Sequence, residues 1–342
     1  MARRKTLLQL MDEMTPAVRA AFLDAAQNMR SDIQFADFLA ALTDNDIERA
    51  LRVIRFGAEY YTPLDQSLRI ARDAGGQWAM EEVIAKGARK GARIIGRFDG
   101  RNPGAEKILA DIAADRIRSD IDKIVDIRQI LVRNMVEGVN PRKSALDIAG
   151  RVNRITGRRE GGVIGLSGNQ TQWVDNARRE LEAGTDKTLR RFLGRKARDR
   201  RFDVTIKNAI KNKKKLSNAQ INRMMGKYSD NLLKVRAEAI ARTELLSTMN
   251  AAQQEGLSQL VDKGQLAADQ ITQTWDSSED KDTRPTHRAA NGQARKKGQA
   301  FDIGGHPMMY PGDPAGPPEE RIQCRCRLAI DIDFIAGLNR GD

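Results

Sequence analysis

Residues 117–131, IRSDIDKIVDIRQIL, determine the fold class of this chain. Apolar residues recur there at three- and four-residue steps, with charged residues between them, at Ile117, Ile121, Ile124, Ile127 and Leu131. This is the spacing of an amphipathic helix with one buried face. Similar patterns extend on both sides of the stretch, so the sequence predicts a mainly α chain.

Helices are also expected on the N-terminal side of this stretch. Thr15-Pro16 has the composition of an N-cap followed by a first-turn proline, so a helix is predicted to begin there. Gly75-Gly76 is predicted to open a further helix that ends near Phe98. The next helix is expected to follow the break at residues 98–104.

Further helices are predicted on the C-terminal side. Gly138 ends the central helix, and Asn140-Pro141 is expected to begin another that runs to about Ile155. A glycine-rich loop follows, and Ser167 then caps a helix that ends at Gly184. A capping box at residues 217–220 predicts one more short helix.

A long helix is predicted from Ser229 to Glu255 and is closed by Gly256. After it the residue pattern changes from helical to strand-like. Residues 271–275, ITQTW, predict a strand, and residues 304–318 are rich in glycine and proline. Apolar residues then alternate with mostly polar ones, which predicts a second strand through Ile322, Cys324, Cys326, Leu328, Ile330 and Ile332. The predicted fold is a helical N-terminal body followed by a small α+β domain.

Four consecutive regions are expected. They are a helical region at 1–140, a basic helical region with the glycine-rich loop at 141–230, the α+β domain at 231–335 and a tail at 336–342. The length of 342 residues exceeds that of one ordinary core of about 100–200 residues. No apolar run reaches the ~20 residues of a membrane-spanning helix, and two cysteines are too few for a disulfide scaffold.

The chain has 59 Lys and Arg against 46 Asp and Glu, a formal net charge of +13. Residues 187–215 concentrate this charge, with 13 basic residues against two aspartates. Such density favours binding to the phosphates of double-stranded DNA, independent of base sequence. A solvated helix face or contact with an acidic protein surface is the alternative. The candidate DNA-binding residues are Lys187, Arg190, Arg191, Arg195, Lys196, Arg198, Arg200, Arg201, Lys207, Lys211, Lys213, Lys214 and Lys215.

Both histidines and both cysteines of the chain, His287, His306, Cys324 and Cys326, lie within forty residues. Two His and two Cys form an acceptable zinc ligand set. Against a metal, C-x-C is not the usual zinc spacing, and alternation predicts that both thiols pack on the apolar face of a strand, ~6.5–7 Å apart. Structural packing is therefore the favoured interpretation, and no cofactor is expected.

An enzyme would have to use the polar residues between 242 and 287. Glu244, Asp282 and His287 are the candidate acid–base groups, with Arg242 and Arg284 nearby in sequence. No phosphate-binding loop, dinucleotide-binding glycine pattern, nucleophile elbow or H-E-x-x-H motif is present. A structural polar network is the favoured alternative, and catalysis is not expected.

Four separated segments carry a family resemblance. They are RAEAIARTELLSTMNAAQQEG at 236–256, Trp275, DTRPTHRAANG at 282–292 and QCRCRL at 323–328. In this order they resemble the phage head morphogenesis domain, the family of the phage Mu F protein and the minor head protein of phage SPP1. Residues 157–181 also resemble the segment that precedes this domain in such proteins. The matching positions are Arg242, Thr243, Glu244, Asn250, Gly256, Trp275, Asp282, Arg284, His287, Gly292, Cys324 and Cys326.

The resemblance implies a minor structural protein of a tailed-phage head, packaged at the portal vertex during assembly in the host cytoplasm. The implied partners are the portal protein and the inner capsid surface, and an oligomer around the portal is left open. The basic residues add a contact with the genome that influences packaging, retention or ejection. Two alternatives stay open: an internal virion protein ejected with the DNA, and a nuclease or transferase.

Overall fold

The computed structural model describes residues 5–334, apart from the side chains of residues 115–122. The predicted tail at 336–342 lies outside that range. The helices are α1 (Leu7–Ser31), α2 (Phe35–Thr43), α3 (Ile47–Val53), α4 (Thr62–Arg89), α5 (Pro103–Val136), α6 (Pro141–Ala149), α7 (Gly168–Ala183), α8 (Asp186–Leu193), α9 (Asp203–Lys211), α10 (Asn218–Asp262), α11 (Pro285–Ala289) and α12 (Pro318–Arg321). The mainly α fold class is confirmed.

The strands are short. They are β1 (Arg151–Val152), β2 (Arg159–Glu160), β3 (Ile271–Asp276), β4 (Ala294–Lys296), β5 (Phe301–Ile303), β6 (His306–Met308) and β7 (Arg327–Ile332). An antiparallel sheet has the order β4-β3-β7, with Trp275 opposite Leu328. Two further antiparallel pairs are β1-β2 and β5-β6. The predicted small α+β part at the C-terminal end is thus confirmed.

Strand β7 lies at one edge of the three-stranded sheet, because the strand order β4-β3-β7 of the described residues gives it a neighbour, β3, on one side alone. Its residues alternate between exposed and buried, with Leu328, Ile330 and Ile332 facing inward. Lys86 of α4 reaches this strand and donates a hydrogen bond from Nζ to the Ile330 carbonyl oxygen at 2.7 Å. The edge of the sheet is therefore in contact with a lysine side chain.

The chain divides into two compact units, and the consecutive four-region division stays a prediction. Unit 1 comprises residues 1–21, 63–116 and 238–342, and unit 2 comprises residues 22–62 and 117–237. The C-terminal sheet belongs to unit 1. Unit 2 has 33 Lys and Arg against 20 Asp and Glu, whereas unit 1 has 26 of each. The whole net charge of +13 therefore resides in unit 2.

Each unit has its own apolar core. Fully buried side chains in unit 1 include Leu64, Leu68, Met80, Leu245, Met249, Trp275 and Phe301. Those in unit 2 include Phe38, Ile148, Ile164, Leu166, Leu189 and Phe192. Burying one such large side chain stabilises a fold by about 1.5–3 kcal/mol, so these side chains contribute substantially to the stability of each unit.

The helix predicted from residues 117–131 is confirmed and belongs to α5. Ile127 and Leu131 are buried, while Ile124 is half-buried. The side chains of Ile117 and Ile121 lie outside the described residues. Gly138 follows the helix with a positive φ of 63°, as a helix-ending glycine does.

Several predicted helix boundaries are wrong, and the first is at Pro16. Helix α1 continues through Thr15-Pro16 instead of beginning there. Leu7 and Met11 before the proline and Val18 after it are all buried, so one apolar face runs past it. Burial of that face outweighs the hydrogen bond that proline cannot donate.

The second wrong boundary is at Gly75-Gly76, which lies in the middle of α4 and not at its start. A Cβ on Gly75 would lie 3.0 Å from Cα of Met249, and one on Gly76 would lie 2.4 Å from the ring of Phe98. The two glycines allow neighbouring chain segments to approach the helix closely. The helix ends at Arg89, before the predicted end at Phe98.

The third is at Gly256, which is inside α10 and does not close it. The two helices predicted for this region form one continuous helix that starts after the Ser217 capping box, where Gln220 and Ser217 exchange hydrogen bonds. A Cβ on Gly256 would lie 3.2 Å from the carbonyl oxygen of Gly76. Close packing against α4 accounts for this glycine.

A fourth difference concerns α6, which ends at Ala149 instead of near Ile155 because Gly150 adopts a φ of 83°. Helix α7 follows the prediction: Ser167 caps it with a full capping box, and Gly184 ends it in the left-handed conformation. No helix of residues 5–334 has both the length and the apolar character that crossing a bilayer requires.

Candidate functional site

Two sets of side chains could carry the function, one in each unit. The first is the basic region of unit 2, built from α8, α9 and the chain between them. Leu189, Phe192 and Ile206 anchor it in the core of unit 2. Most of its basic side chains consequently point to solvent. We define the basic surface as Lys187, Arg190, Arg191, Lys196, Arg200, Arg201, Lys207, Lys211, Lys213, Lys214 and Lys215, all of which are exposed.

Two of the predicted DNA-binding residues, Arg195 and Arg198, are instead half-buried. Arg195 holds both carboxylate oxygens of the buried Glu180, at 2.7 Å from Nε and 3.0 Å from Nη2. It also donates to the Tyr228 hydroxyl at 3.2 Å. These contacts give Arg195 a structural role inside unit 2.

Arg198 makes a similar two-pronged ion pair with Asp203, with both N–O distances at 2.9 Å. Its hydrogen bonds lower the pKa of the Asp203 carboxyl, because the ionised form is the better acceptor. Asp203 lies in the first turn of α9. The pair therefore fixes the start of that helix.

The second set of side chains lies in unit 1 and contains the positions that carry the family resemblance. Thr243 accepts a hydrogen bond at Oγ1 from the backbone N–H of Gln323 at 2.9 Å. Arg284 donates from Nη2 to the Ile322 carbonyl oxygen. Gln323 has a φ of 56°, which is uncommon for a residue with a side chain. These two side chains thus hold the tight turn that leads into Cys324.

Other motif positions have structural contacts in the same unit. Asn250 donates from Nδ2 to the Pro311 carbonyl oxygen at 2.8 Å, and Arg242 pairs with Glu238 at 2.8 Å. Gly292, with a φ of 78°, donates its N–H to the Trp275 carbonyl oxygen at 2.8 Å. Trp275 is fully buried, and its ring meets those of His287 and Phe301 edge-on, each at 5.6 Å between centroids.

The centre of this second set is a cluster of His287, Cys324 and Cys326, which we call the HCC cluster. Nδ1 of His287 lies 3.2 Å from Sγ of Cys326 and 3.6 Å from Sγ of Cys324. All three ligand atoms lie within 4.8 Å of one another, and all three residues are buried. Alternation along a strand predicted well-separated thiols, but strand β7 begins only at Arg327, and the turn at Gln323 folds the cysteines together.

The two thiols differ in the direction in which their surroundings shift their pKa. The hydrogen bond from Cys324, together with that of His287, lowers the pKa of Cys326 to about 5. The same thiol pair and burial raise the pKa of Cys324. The second ionisation is resisted because two thiolates side by side in a buried site repel each other.

Glu320 lies beside His287 of the HCC cluster, and no pattern in the sequence predicted it. Its Oε2 lies 3.0 Å from Nε2 of His287, although the N–H direction gives no well-aligned hydrogen bond. The same oxygen accepts from Thr286 Oγ1 at 2.8 Å. The only hint in the sequence is that a Glu-Glu pair precedes the two cysteines by a few residues.

The remaining candidate residues lie on β6, on α10 and in the turn before α11. His306 is exposed on β6, and Asp282 is exposed and lies 3.7 Å from Arg325. Glu244 is half-buried on α10. The carboxylate found beside His287 is that of Glu320, which is not one of the two carboxylates, Glu244 and Asp282, proposed from the sequence.

Residues 203–329 match the family model described as Phage Mu protein F like protein. The match contains every motif position from Arg242 to Cys326, so the resemblance is confirmed for the C-terminal part of the chain. The resemblance of residues 157–181 lies outside the matched range and stays a prediction. No curated protein and no solved structure matches the chain significantly.

Proposed function

We propose that the chain is a minor structural protein of a tailed-phage head, built into the virion at the portal vertex during assembly in the host cytoplasm. The observation that carries this proposal is the match of residues 203–329 to a phage Mu F-like family. The motif positions in that range hold turns, strands and helices together, which suits a protein whose task is assembly. Its partners would be the portal protein and the inner capsid surface.

The genome is the proposed partner of unit 2. The net charge of +13 resides in that unit, and eleven basic side chains of α8, α9 and the adjoining chain are exposed. Exposed Lys and Arg bind phosphates by releasing counterions, whatever the base sequence. Unit 1, with equal numbers of acidic and basic residues, suits docking on protein. Through this contact the protein would influence packaging, retention or ejection of DNA.

A structural function fits this chain better than an enzymatic one. His287 is 1% exposed and Cys326 is also 1% exposed, so neither side chain offers a substrate an open approach. Asp282 is exposed but lacks the contact with His287 that acid–base chemistry would use. We therefore propose that the chain is not an enzyme.

Mass spectrometry of purified virions, alongside pull-downs with the portal protein, tests the proposal. We expect the chain at a few copies per particle and retained by portal. Its absence from virions, together with no retention by portal, would overturn the head-protein proposal. Recovery of the chain from newly infected cells would instead identify it as an internal protein ejected with the DNA.

A further inference from the structure

The HCC cluster has the geometry of a metal site. Zinc takes four tetrahedral ligands at Zn–S ~2.3 Å and Zn–N ~2.0 Å, so its sulfur and nitrogen ligands lie ~3.5 Å from each other. The two N–S distances in the cluster are 3.2 and 3.6 Å. Nδ1 of His287 thus already lies almost as far from each sulfur atom as a bound zinc ion would hold it, and the two sulfur atoms lie within 4.8 Å of each other.

Burial and charge also favour a metal. Cys324 is 4% exposed and Cys326 is 1% exposed, so two ionisable thiols have been taken out of water. A divalent ion would balance two thiolates, with both thiol protons leaving to solvent. Soft sulfur ligands with one imidazole select zinc over magnesium or calcium.

The environment of His287 presents the correct nitrogen to the metal. Its Nε2 faces the carboxylate of Glu320 at 3.0 Å, and this carboxylate also accepts from Thr286. A carboxylate close to Nε2 favours the proton on that nitrogen, and the Nδ1 lone pair then faces the space beside the two sulfur atoms, where a cation would lie. Carboxylate, histidine and metal in this order are a common arrangement around zinc.

The supporting backbone is also suitable. The Cys326 N–H points to Sγ of Cys324 at 3.4 Å, as amides do around metal-bound thiolates. The turn at Gln323 is held by two side chains. Thr243 lies in α10, and Arg284 directly precedes α11. A metal here would therefore join α11 to the segment that enters β7.

We propose that His287 Nδ1, Cys324 Sγ and Cys326 Sγ bind one structural zinc ion, with Glu320 as the positioning residue of the histidine. No fourth His, Cys, Asp or Glu of the described residues belongs to the cluster, so the fourth position is left to a water molecule. His306 takes no part. This inference does not depend on the proposed function, because the site belongs to the fold of unit 1.

Metal analysis of the untagged full chain, purified under reducing conditions and then incubated with equimolar zinc, tests the site. We expect one zinc ion per chain, and its loss in Cys324→Ser and Cys326→Ser. His306→Gln is the matched control and should keep the metal. A wild-type chain that stays metal-free with both thiols reactive would overturn the proposal, as would a mass lower by two hydrogens, which indicates a disulfide.

Two further measurements keep the test decisive if a cysteine variant fails to fold. Cobalt bound to the wild-type chain should show thiolate-to-metal charge-transfer absorption, and absence of these bands would contradict thiolate ligation. Glu320→Gln keeps all three ligands and should lower zinc affinity by about 10–100-fold in competition with a chelator. Unchanged affinity in a folded Glu320→Gln chain would disprove its positioning role.

Discussion

Arg195 and Arg198 lie in the most basic stretch of the chain, yet both bind carboxylates of their own unit. At the level of single residues, local charge density thus assigns phosphate binding to some residues that pair within the protein instead. Ion pairs with Glu180 and Asp203 remove these two guanidinium groups from the surface, whereas Lys196 and Arg200 beside them stay exposed. The contrast separates residues that hold the unit together from residues available to a partner.

The pair of Arg198 and Asp203 should make stability depend on pH. The folded state lowers the pKa of Asp203, so this contribution is present above its ordinary pKa of about 3.9 and is lost as the pH falls through the lower, folded-state value. Asp203→Asn should lower the free energy of unfolding by about 1 kcal/mol at pH 7, and the difference should shrink as the pH falls below about 3.9, the ordinary pKa of an aspartate.

Urea unfolding of wild type and variant across this pH range measures the effect. Asp186→Asn is the control, because Asp186 also lies in the first turn of a helix and has no ion pair within the described part of the chain. The loss of unfolding free energy in Asp203→Asn could be the same at both ends of the pH range, or the same as in Asp186→Asn. Either result would show that the position in the first turn matters and the ion pair does not.

The HCC cluster was only partly predictable from the sequence. Proximity of His287 to the cysteines in the chain suggested zinc, but C-x-C spacing and strand alternation argued against it. The alternation no longer applies at Gln323, whose φ is 56° and whose turn is held by tertiary hydrogen bonds: its N–H donates to Thr243 Oγ1, and Arg284 donates to the Ile322 carbonyl oxygen. Glu320 comes to His287 through the same folding of the chain, which no local pattern encodes.

Helices α1, α4 and α10 show at the level of elements why boundaries were harder to predict than helices. Proline and glycine in the sequence predict helix starts or stops, but in α4 and α10 the glycines mark places where backbones approach closely. The apolar repeat that predicts α5 is visible in the sequence alone, without knowledge of the segment that packs against it. A glycine inside a helix has a meaning only once the segment packed against it is known.

Replacing helix glycines by alanine should therefore give opposite results at two positions. Gly75→Ala would place Cβ 3.0 Å from Cα of Met249 and should destabilise unit 1 by about 1–3 kcal/mol. Gly226→Ala in α10 would meet nothing within 4 Å and should stabilise the chain by about 0.5–1 kcal/mol. Thermal or urea unfolding of the two variants provides the comparison, and equal effects would contradict the packing role of Gly75.

The molecule as a whole has a strongly uneven distribution of charge. Unit 2 carries the entire excess of basic residues, and unit 1 is balanced. Composition alone revealed the excess, and the count over residues 187–215 located a dense part of it, with 13 basic residues against two aspartates. Which residues share a unit depended on the fold, because unit 1 is assembled from three separate segments.

DNA binding should follow this distribution. Replacing Lys196, Arg200, Lys207 and Lys211 by glutamine should weaken binding of the full chain to double-stranded DNA of any sequence. The slope of log K against log salt should become shallower by up to about 4, because each lost phosphate contact removes about 0.9.

The control replaces four exposed basic residues of unit 1, Arg93, Arg101, Lys263 and Lys281, by glutamine. Fluorescence anisotropy with one DNA duplex over a range of salt concentrations measures both variants. Equal slopes in the two variants would contradict a contact through the basic surface and would point to a general effect of net charge.

Lys86, which contacts the edge strand β7, opposes pairing between the sheets of different copies of the protein. Open sheets aggregate when the free edges of two copies pair, and a lysine at the edge opposes this because its ammonium group would have to be buried in the new ladder. Within residues 5–334, the sheet to which β7 belongs has only three strands, so two of its strands, β4 and β7, lie at an edge. Many copies could thus be held at high local concentration without joining their sheets into a fibre.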